Sequence, residues 1–575
     1  MIHAFPHRWS SLLPTLLISI LLSSGCGPKT KPGNQQDPNA PSFDSDSVSS
    51  DSADESVGLD ADSDADVPDA QSASFPDAVL PVSTSSDAAI ALVLFEPASN
   101  DADVVIPGDL NSVDWRSHLG KQVVIDGDLV VVDTYDLARR GQVTVARERL
   151  YVPTSQIDPN DADPRETSFE GGSNVAKVTA AQKRNDGATI VIDDTTTAQN
   201  VFPPPLFPKL GKSYPTVRVG SVIRGVSGRL VEERNKLVLQ SDQPLRWSPA
   251  PRPERPTIGD ADVVVASFNV LNYFTTIDNG QNNARGADSE TELGRQEAKI
   301  VSAIAGLKAD VIGLMEMENN VDAENRLVAA LNKKLAKNVY KGCGIPKGFG
   351  DSPGGSDAIR VGIIYRADRV APVGDVSMIE DNAFFVARTP VVQTFRSVKG
   401  GDPLTVIVNH FKSKGGASNA DPANKNKGDG QAAYNAARRS QSQAICDYIS
   451  RRSANNGRSR VLVIGDLNAY QQEDPIDMLR ANGLVDLLER AGSAGPSGSS
   501  LLDYSFVYYG QCGSLDHAFA TESLANDVTG IATWHINADE PRFMDYNEEF
   551  NPKSLYSPGP YRSSDHDPVL IGIRQ

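Results

Sequence analysis

Along residues 88–248, apolar positions come in short alternating or β-branched runs, whereas along 258–575 such runs alternate with stretches of helical period. The two regions therefore predict different architectures. In the first, the runs are Val123-Val124-Ile125-Asp126-Gly127, Leu129 to Val132, Gln142 to Ala146, Thr189 to Ile192, Val217 to Ile223 and Lys236 to Leu239, broken by Gly, Pro, Asn and Asp. No helical period of useful length is visible among them. Short strands with glycine-marked bends, as in Val219-Gly220-Ser221-Val222-Ile223-Arg224-Gly225, suit a small Greek-key barrel, and an OB-like domain over 88–248 is expected. Such barrels often bind oligonucleotides by stacking bases on aromatic rings. The main rings here are Trp115, Tyr135 and Tyr151, too few for a stacking platform, so a structural or positioning role is expected.

Pro249-Ala250-Pro251-Arg252-Pro253-Glu254-Arg255-Pro256 then predicts a stiff linker over 249–257. Beyond it, strands are expected at Asp262 to Phe268, Val311 to Met315, Val361 to Tyr365, Leu404 to Val408, Val461 to Ile464, Leu515 to Ala520 and Val569 to Ile573. Leu293, Ile300, Ile304 and Leu307 form one helical face, further helices are expected over Ala323 to Ala336 and Gln431 to Ser450, and Pro475 fits the first turn of another. Residues 258–575 thus read as one domain of α/β or α+β class.

A different pattern precedes both regions. Arg8 stands before the apolar run Leu12 to Leu22, which ends in Ser23-Ser24-Gly25-Cys26. The run is too short for a permanent membrane span, and Gly25-Cys26 offers the small residue and thiol of a lipoprotein-type leader, 1–26. Leu22 lies one position further from the cysteine than such leaders prefer, and an ordinary cleaved leader is the alternative. Membrane contact is expected only through a lipid anchor at Cys26, with the protein exported and held at the cell envelope or secreted. Residues 27–87 read as a disordered acidic tether, since Pro41 to Ala70 holds ten acidic residues and no basic ones.

The whole chain carries 55 Lys+Arg against 74 Asp+Glu, a net −19, which excludes a nucleic-acid binder held by net charge alone. Four Cys in 575 residues exclude a disulfide scaffold or a Cys-rich zinc module. With Cys26 acylated, Cys343, Cys446 and Cys512 allow at most one intramolecular disulfide.

Chemistry enters at the strand ends. Asn269 follows the first expected strand of the second region and Glu316 the next; Asn409-His410 and Gly465-Asp466-Leu467-Asn468 follow later ones. Asp516-His517 opens another strand, and Asp565-His566-Asp567-Pro568 precedes the last. Ligands of sheet proteins collect where strand ends converge, so these segments predict one shared cleft. Carboxylates with an amide oxygen are hard donors suited to magnesium, manganese or calcium, and no compact His/Cys cluster points to structural zinc.

Five segments carry a family resemblance: Ser267-Phe268-Asn269-Val270-Leu271-Asn272, Asp310 to Glu316, Gly465-Asp466-Leu467-Asn468, Leu515-Asp516-His517 and Ser564-Asp565-His566-Asp567-Pro568-Val569. In this order they resemble the endonuclease/exonuclease/phosphatase superfamily, which includes pancreatic deoxyribonuclease and the abasic-site repair endonucleases. Asn409-His410-Phe411-Lys412-Ser413-Lys414 and Trp534 to Pro541 look like bacterial extracellular nucleases, which tend to carry an OB-like region upstream. The resemblance implies an α+β fold, a four-layer αββα sandwich, preceded here by the small barrel.

It also implies roles. Asn269, Glu316 and Asp565 would hold Mg2+ (or Mn2+, with Ca2+ as a supporting ion) against a phosphate oxygen. Asp466 would orient and deprotonate the attacking water, Asn468 would donate to the phosphate, His566 would donate to a non-bridging oxygen with Asp516 fixing its tautomer, and His410 would be the general acid. Asn272, Arg388, Lys412, Lys414 and Arg438 are the expected substrate contacts. From Ala330 to Arg460 there are 21 Lys+Arg against 10 Asp+Glu, a basic region within an acidic chain, which favours a polyanion. The expectation is a secreted or surface-anchored metal-dependent nuclease acting on nucleic acid, DNA first, with no protein partner. The alternative is a phosphodiesterase or phosphatase of the same fold acting on lipid or sugar phosphates.

Overall fold

The computed structural model describes residues 103–160, 173–211, 216–233, 236–241, 243–347, 357–415, 420–456, 459–494, 503–549 and 551–575. The leader 1–26 with Cys26, the tether 27–87 and the start of the expected OB-like region lie outside the described residues. The chain divides into the units Met1–Pro41 and Ser42–Gln575, and all described residues belong to the second.

Upstream, the strands Gln122–Asp133, Val143–Ala146, Ile190–Asp193, Lys236–Gln240 and Val222–Glu233 pair in that order, and the last pairs back onto the first. The sheet therefore closes into a ring. Val123, Ile125, Leu129, Val131, Val143, Val145, Ile192, Ile223 and Leu230 fill it, each wholly or almost wholly buried. The two long strands bend where their register shifts between Ile125 and Asp128, a step that Gly127 takes at φ +81°.

Two expectations change here. A helix, Val175–Gly187, stands before the Ile190–Asp193 strand although no apolar period announced it, because only Val178 and Ala181 of it are buried. Its Ala, Lys, Gln and Arg residues favour the helix by propensity rather than by pattern. The strand expected at Val217 to Ile223 begins instead at Val222, and the Val219 N–H donates to the Asp539 carbonyl at 2.9 Å.

Downstream, one sheet has the order Tyr340–Gly342, Ile359–Arg366, Val311–Glu318, Val263–Tyr273, Val569–Ile573 and Val528–Thr533. The second has the order Val370–Met378, Val391–Ser397, Leu404–His410, Val461–Asp466, Asp516–Thr521 and Leu484–Asp486. Val265, Val311 and Met315 of the first face Val406, Val408, Leu462 and Ile464 of the second in one buried core. Helices Glu290–Leu307 and Asp322–Leu335 cover the first sheet through Leu293, Ile300, Ile304, Leu327 and Leu331. Helices Asn435–Asn456 and Asp474–Ala481 cover the second through Ile445, Ile449, Ile476 and Leu479. Central strands covered on both faces read as continuous apolar runs, which is why they were legible. A Cβ on Gly313 would come within 2.7 Å of Val408, so the two sheets pack closely at the strand that carries Glu316.

The ring docks on the sandwich by strand addition. Leu150–Tyr151 joins the hairpin Phe506–Tyr508 and Gln511–Gly513 in a three-stranded sheet. Arg149 forks onto Asp539 at 2.9 and 3.0 Å, and fully buried Arg218 lies 3.4 Å from both Asp539 and Glu540. The Pro-rich stretch is pinned between them: Arg252 grips Glu540 at 2.9 and 2.8 Å, and the Trp534 indole donates to the Pro253 carbonyl. Cys343, Cys446 and Cys512 are free thiols.

Candidate active site

The site lies where segments of both sheets converge. Asn269 and Glu316 come from the first sheet, and His410, Asp466 and Asp516 end or open strands of the second. His566 stands just before the Val569–Ile573 strand. Glu316 occupies a bulge: register shifts past it against both neighbouring strands, and its φ is +62°. The bulge re-aims its side chain into the cleft at a strain of about 1–3 kcal/mol. Leu271, Asn272 and Asn468, around the same cleft, also have positive φ. In the Gly465-Asp466-Leu467-Asn468 turn, the Asn468 N–H donates to Asp466 Oδ1 at 2.8 Å, which fixes the carboxylate.

Asp466 Oδ2 is the meeting point. It lies 3.4 Å from His410 Nε2, 3.4 Å from Asn269 Nδ2 and 3.9 Å from His566 Nε2. Asn269 Nδ2 also donates to Glu316 Oε1 at 2.9 Å, while its Oδ1 accepts the Leu271 N–H. Asn269 thus stands as a donor joining two carboxylates, with its oxygen toward the Leu271 N–H. The other Glu316 oxygen accepts the Asn272 N–H at 3.0 Å, and the side-chain Oδ1 of Asn272 is buried with no hydrogen-bond partner among the described residues. Asp565 is half-buried, with Ser564 Oγ at 3.4 Å.

The two histidines are held in opposite states. Burial, followed by the positive charges of Arg388, His566, Lys412 and Arg285, holds His410 well below its ordinary pKa, so it is neutral. Burial also opposes charge on His566, but the Asp516 and Asp466 carboxylates outweigh it, and its pKa stands well above the ordinary value. Burial pushes Glu316 up to about 7, with Asp565 adding repulsion, and burial pushes Asp466 up to about 7 as well. Glu316, His410 and Asp466 each offer one ligand atom within 4.8 Å of the others. Two crowded carboxylates and a neutral imidazole fit a divalent cation, whose charge would offset the burial that raises both acids.

The surroundings separate the expected substrate contacts. Arg388 is buried, with Nε 3.1 Å from Asp357 and Nη1 donating to the Phe411 carbonyl, and Arg285 lies 3.6 Å from the same Asp357. Lys412 is half-buried at the mouth, its Nζ bonded to Ser413 Oγ and 4.7 Å from the Tyr434 ring centre. Lys414 and Arg438 need correction. Lys414 is buried against Glu473, and Arg438 gives its N–H groups to the carbonyls of Lys412, Ala433 and Gln431. Both cations brace the loop after His410 from inside.

Five contributors had no role assigned from the sequence. Ser505 donates to Asp516 Oδ2 at 2.7 Å, the oxygen that also faces His566 Nδ1. The Phe506 ring lies 4.6 Å from that of His566. His535 bonds Asp567 at 3.0 Å, and Asn537 Nδ2 donates to the His566 carbonyl at 2.7 Å, together fixing the Ser564 to Pro568 turn. Arg285 stands in a loop without periodicity, so no signal marked it.

The family model for the Endonuclease/Exonuclease/phosphatase family matches residues 266–566, just over half of the chain and every strand end of the site. The chain belongs to this family. It is a hydrolase of phosphodiester or phosphate esters. Among solved structures, the chain is similar to a mannosyl-6-phosphatase of Bacteroides thetaiotaomicron at 14% identity and TM-score 0.34, over 54% of this chain and 99% of that one. It is similar to the human Nocturnin catalytic domain at 15% identity and TM-score 0.35, over 55% and 96%. It is similar to D. rerio TDP2 with a single-strand DNA product at 16% identity and TM-score 0.33, over 54% and 97%. No curated protein is matched in sequence.

Proposed function

We propose that the protein is an exported, metal-dependent nuclease that hydrolyses phosphodiester bonds of extracellular nucleic acid, DNA first. The observation that carries the hydrolytic part is the convergence on Asp466 Oδ2 of His410, Asn269 and His566 within 3.4–3.9 Å. Glu316 and Asp565 would hold a divalent ion, which would supply Lewis-acid polarisation of the phosphate. Asp466 orients a water and takes its proton. Cationic His566 donates to a non-bridging oxygen as charge builds there, with Asp516 holding its tautomer. His410 starts the cycle neutral, which supports a role as ligand or proton acceptor before any role as acid.

The nucleic-acid part rests on charge. Arg285, Arg388 and Lys412 all raise the potential at His410, and Arg388 and Lys412 belong to the basic region 330–460. With Lys414 and Arg438 engaged internally, these three cations are the favoured phosphate contacts. The ring supports an OB-like reading: in chain order its strands pair first, second, third, fifth, fourth and back to first, with the third and fifth parallel. Export and a lipid at Cys26 rest on the sequence of residues 1–26, and fatty-acid labelling of wild type against Cys26→Ser tests them. Substrate class is tested with plasmid, linear DNA, RNA and bis-nitrophenyl phosphate, each with magnesium, manganese, calcium or chelator. Metal-dependent cleavage of the polymers is expected; hydrolysis confined to small phosphate esters overturns the nuclease reading.

A further inference from the structure

From His566 a series of aromatic rings leads out of the cleft. Phe506 lies 4.6 Å from His566, Tyr508 lies 6.2 Å from Phe506, and Tyr509 lies 4.5 Å from Tyr508. Tyr509 ends the series at the tip of the hairpin, 69% exposed. With Tyr508 paired to Gln511, the turn is Tyr509-Gly510, and both residues have positive φ, +46° and +74°. That is the two-residue turn in which Asn, Asp or Gly is the stabilising first residue, and a bulky ring in the left-handed region is held at a cost. Turn formation does not explain Tyr509. Its exposed ring does nothing for the core.

The tip is held firmly. Gln511 and Cys512 pair with Leu150 and Tyr151 of the upstream ring, Asn185 donates to Gln511 Oε1 at 2.6 Å, and a Cβ on Gly510 would meet Val132 at 3.2 Å. A hairpin clamped from outside presents its tip ring already ordered, which lowers the entropy lost on binding. We infer that Tyr509 is a stacking subsite for a nucleobase flanking the scissile phosphate, and that docking of the upstream ring holds it in place. The inference rests on the nuclease reading and gives it a specificity residue. A neutral phenol ring serves a base rather than a phosphate, and a single exposed tyrosine above half-buried Val507 and Tyr508 is a poor bilayer anchor.

The test compares two short single-stranded oligonucleotides of equal length, one carrying bases and one with tetrahydrofuran residues in place of bases around the cleaved bond. Base stacking on an aromatic ring corresponds to about tenfold or more in binding. Wild type is expected to show at least about that preference in kcat/KM for the base-bearing strand. Tyr509→Ala should reduce the ratio toward one without slowing bis-nitrophenyl phosphate hydrolysis comparably, and Tyr509→Phe should keep it. Tyr509→Asn should lose the ratio while melting no lower than wild type, which separates stacking from folding. Cleavage of both strands with the same ratio in wild type and Tyr509→Ala overturns the subsite alone, as does a defect of Tyr509→Ala confined to binding phosphatidylglycerol vesicles. If wild type cleaves neither strand yet hydrolyses bis-nitrophenyl phosphate, the nuclease reading fails and the subsite falls with it.

Discussion

His566 Nδ1 lies 2.7 Å from Asp516 Oδ2, and both side chains are buried. The carboxylate leaves Nδ1 as the proton donor within the pair and frees Nε2, which faces Asp466 at 3.9 Å, to donate to a phosphate oxygen. Asp516→Asn keeps the shape but removes the charge that sustains the imidazolium. It is expected to lower kcat by about 10²-fold or more with little change in KM, and His566→Ala by at least as much. Ser505→Ala removes one of the groups that fix Asp516 and should cost less, about 1 kcal/mol of transition-state stabilisation. Steady-state kinetics at saturating metal checks all three. Near-wild-type turnover in Asp516→Asn would leave the pair a structural contact.

Glu316 and Asp466 carry a pH signature at the site. Both have folded pKa values of about 7, above the ordinary carboxylate range, so the metal-free folded protein binds more protons than the unfolded chain between about pH 4.5 and 7. Stability in chelator should therefore fall as pH rises through that window, and bound metal should offset the loss. Apparent metal affinity should rise with pH up to about 7 and then level off. Glu316→Gln should abolish metal-dependent activity yet stabilise the chelated protein at pH 8 by about 1–3 kcal/mol. Asp565→Asn should also lose activity by orders of magnitude. Thermal melts and metal titrations across pH measure these effects; a flat chelated melting curve would place the two carboxylates in less crowded surroundings than described.

Lys414 and Glu473 make the strongest structural prediction. Both side chains are buried, and Thr154 of the upstream region donates to Glu473 as well. Burial lowers Lys414 to about 8 despite its partner, so the pair is costly to assemble and costlier to break. Lys414→Met should destabilise the fold by about 3–5 kcal/mol, and adding Glu473→Gln should recover part of that loss. Denaturant melts measure it. A Lys414→Met protein with unchanged stability and a raised KM for DNA would return Lys414 to the substrate surface.

How much of this the sequence could tell depended on what each residue packs against. Val311–Glu318 and Val461–Asp466 are buried on both faces, so their unbroken apolar runs gave the strands, and the polar residues at their ends gave Glu316 and Asp466. Val370–Met378 was not legible, because its exposed edge carries Pro372 and Gly374 and shifts register between Val373 and Ser377. Val391–Ser397 buries Gln393 and Thr394, which broke its pattern. Among site residues, position next to a strand did not reveal orientation: the Leu271 N–H turns the Asn269 oxygen away from the carboxylates. Nor did positive charge in sequence reveal exposure, since Arg438 and Lys412 lie in one segment yet only Lys412 reaches the mouth. Trp534 to Pro541 was read as a family mark; its Asp539 and Glu540 turn out to anchor Arg149, Arg218 and Arg252.

Substrate class can be read through salt. A polyanion crossing Arg285, Arg388 and Lys412 releases condensed counterions as each phosphate is neutralised, so the apparent KM for long DNA should rise steeply with ionic strength. A small diester occupies the metal site and little else, and its KM should change far less. Lys412→Glu is the informative variant, because Lys412 is half-buried with its Nζ bonded to Ser413 Oγ and beside the Tyr434 ring. It should raise KM for DNA about tenfold at low salt, flatten the salt slope by about one phosphate, and leave bis-nitrophenyl phosphate hydrolysis within about twofold. Arg388→Lys is expected to be harsher on both substrates, since its guanidinium also holds Asp357 and the Phe411 carbonyl beside His410. Equal salt slopes for DNA and the small diester, unchanged by Lys412→Glu, would count against a bound polyanion and favour a phosphoesterase of small substrates.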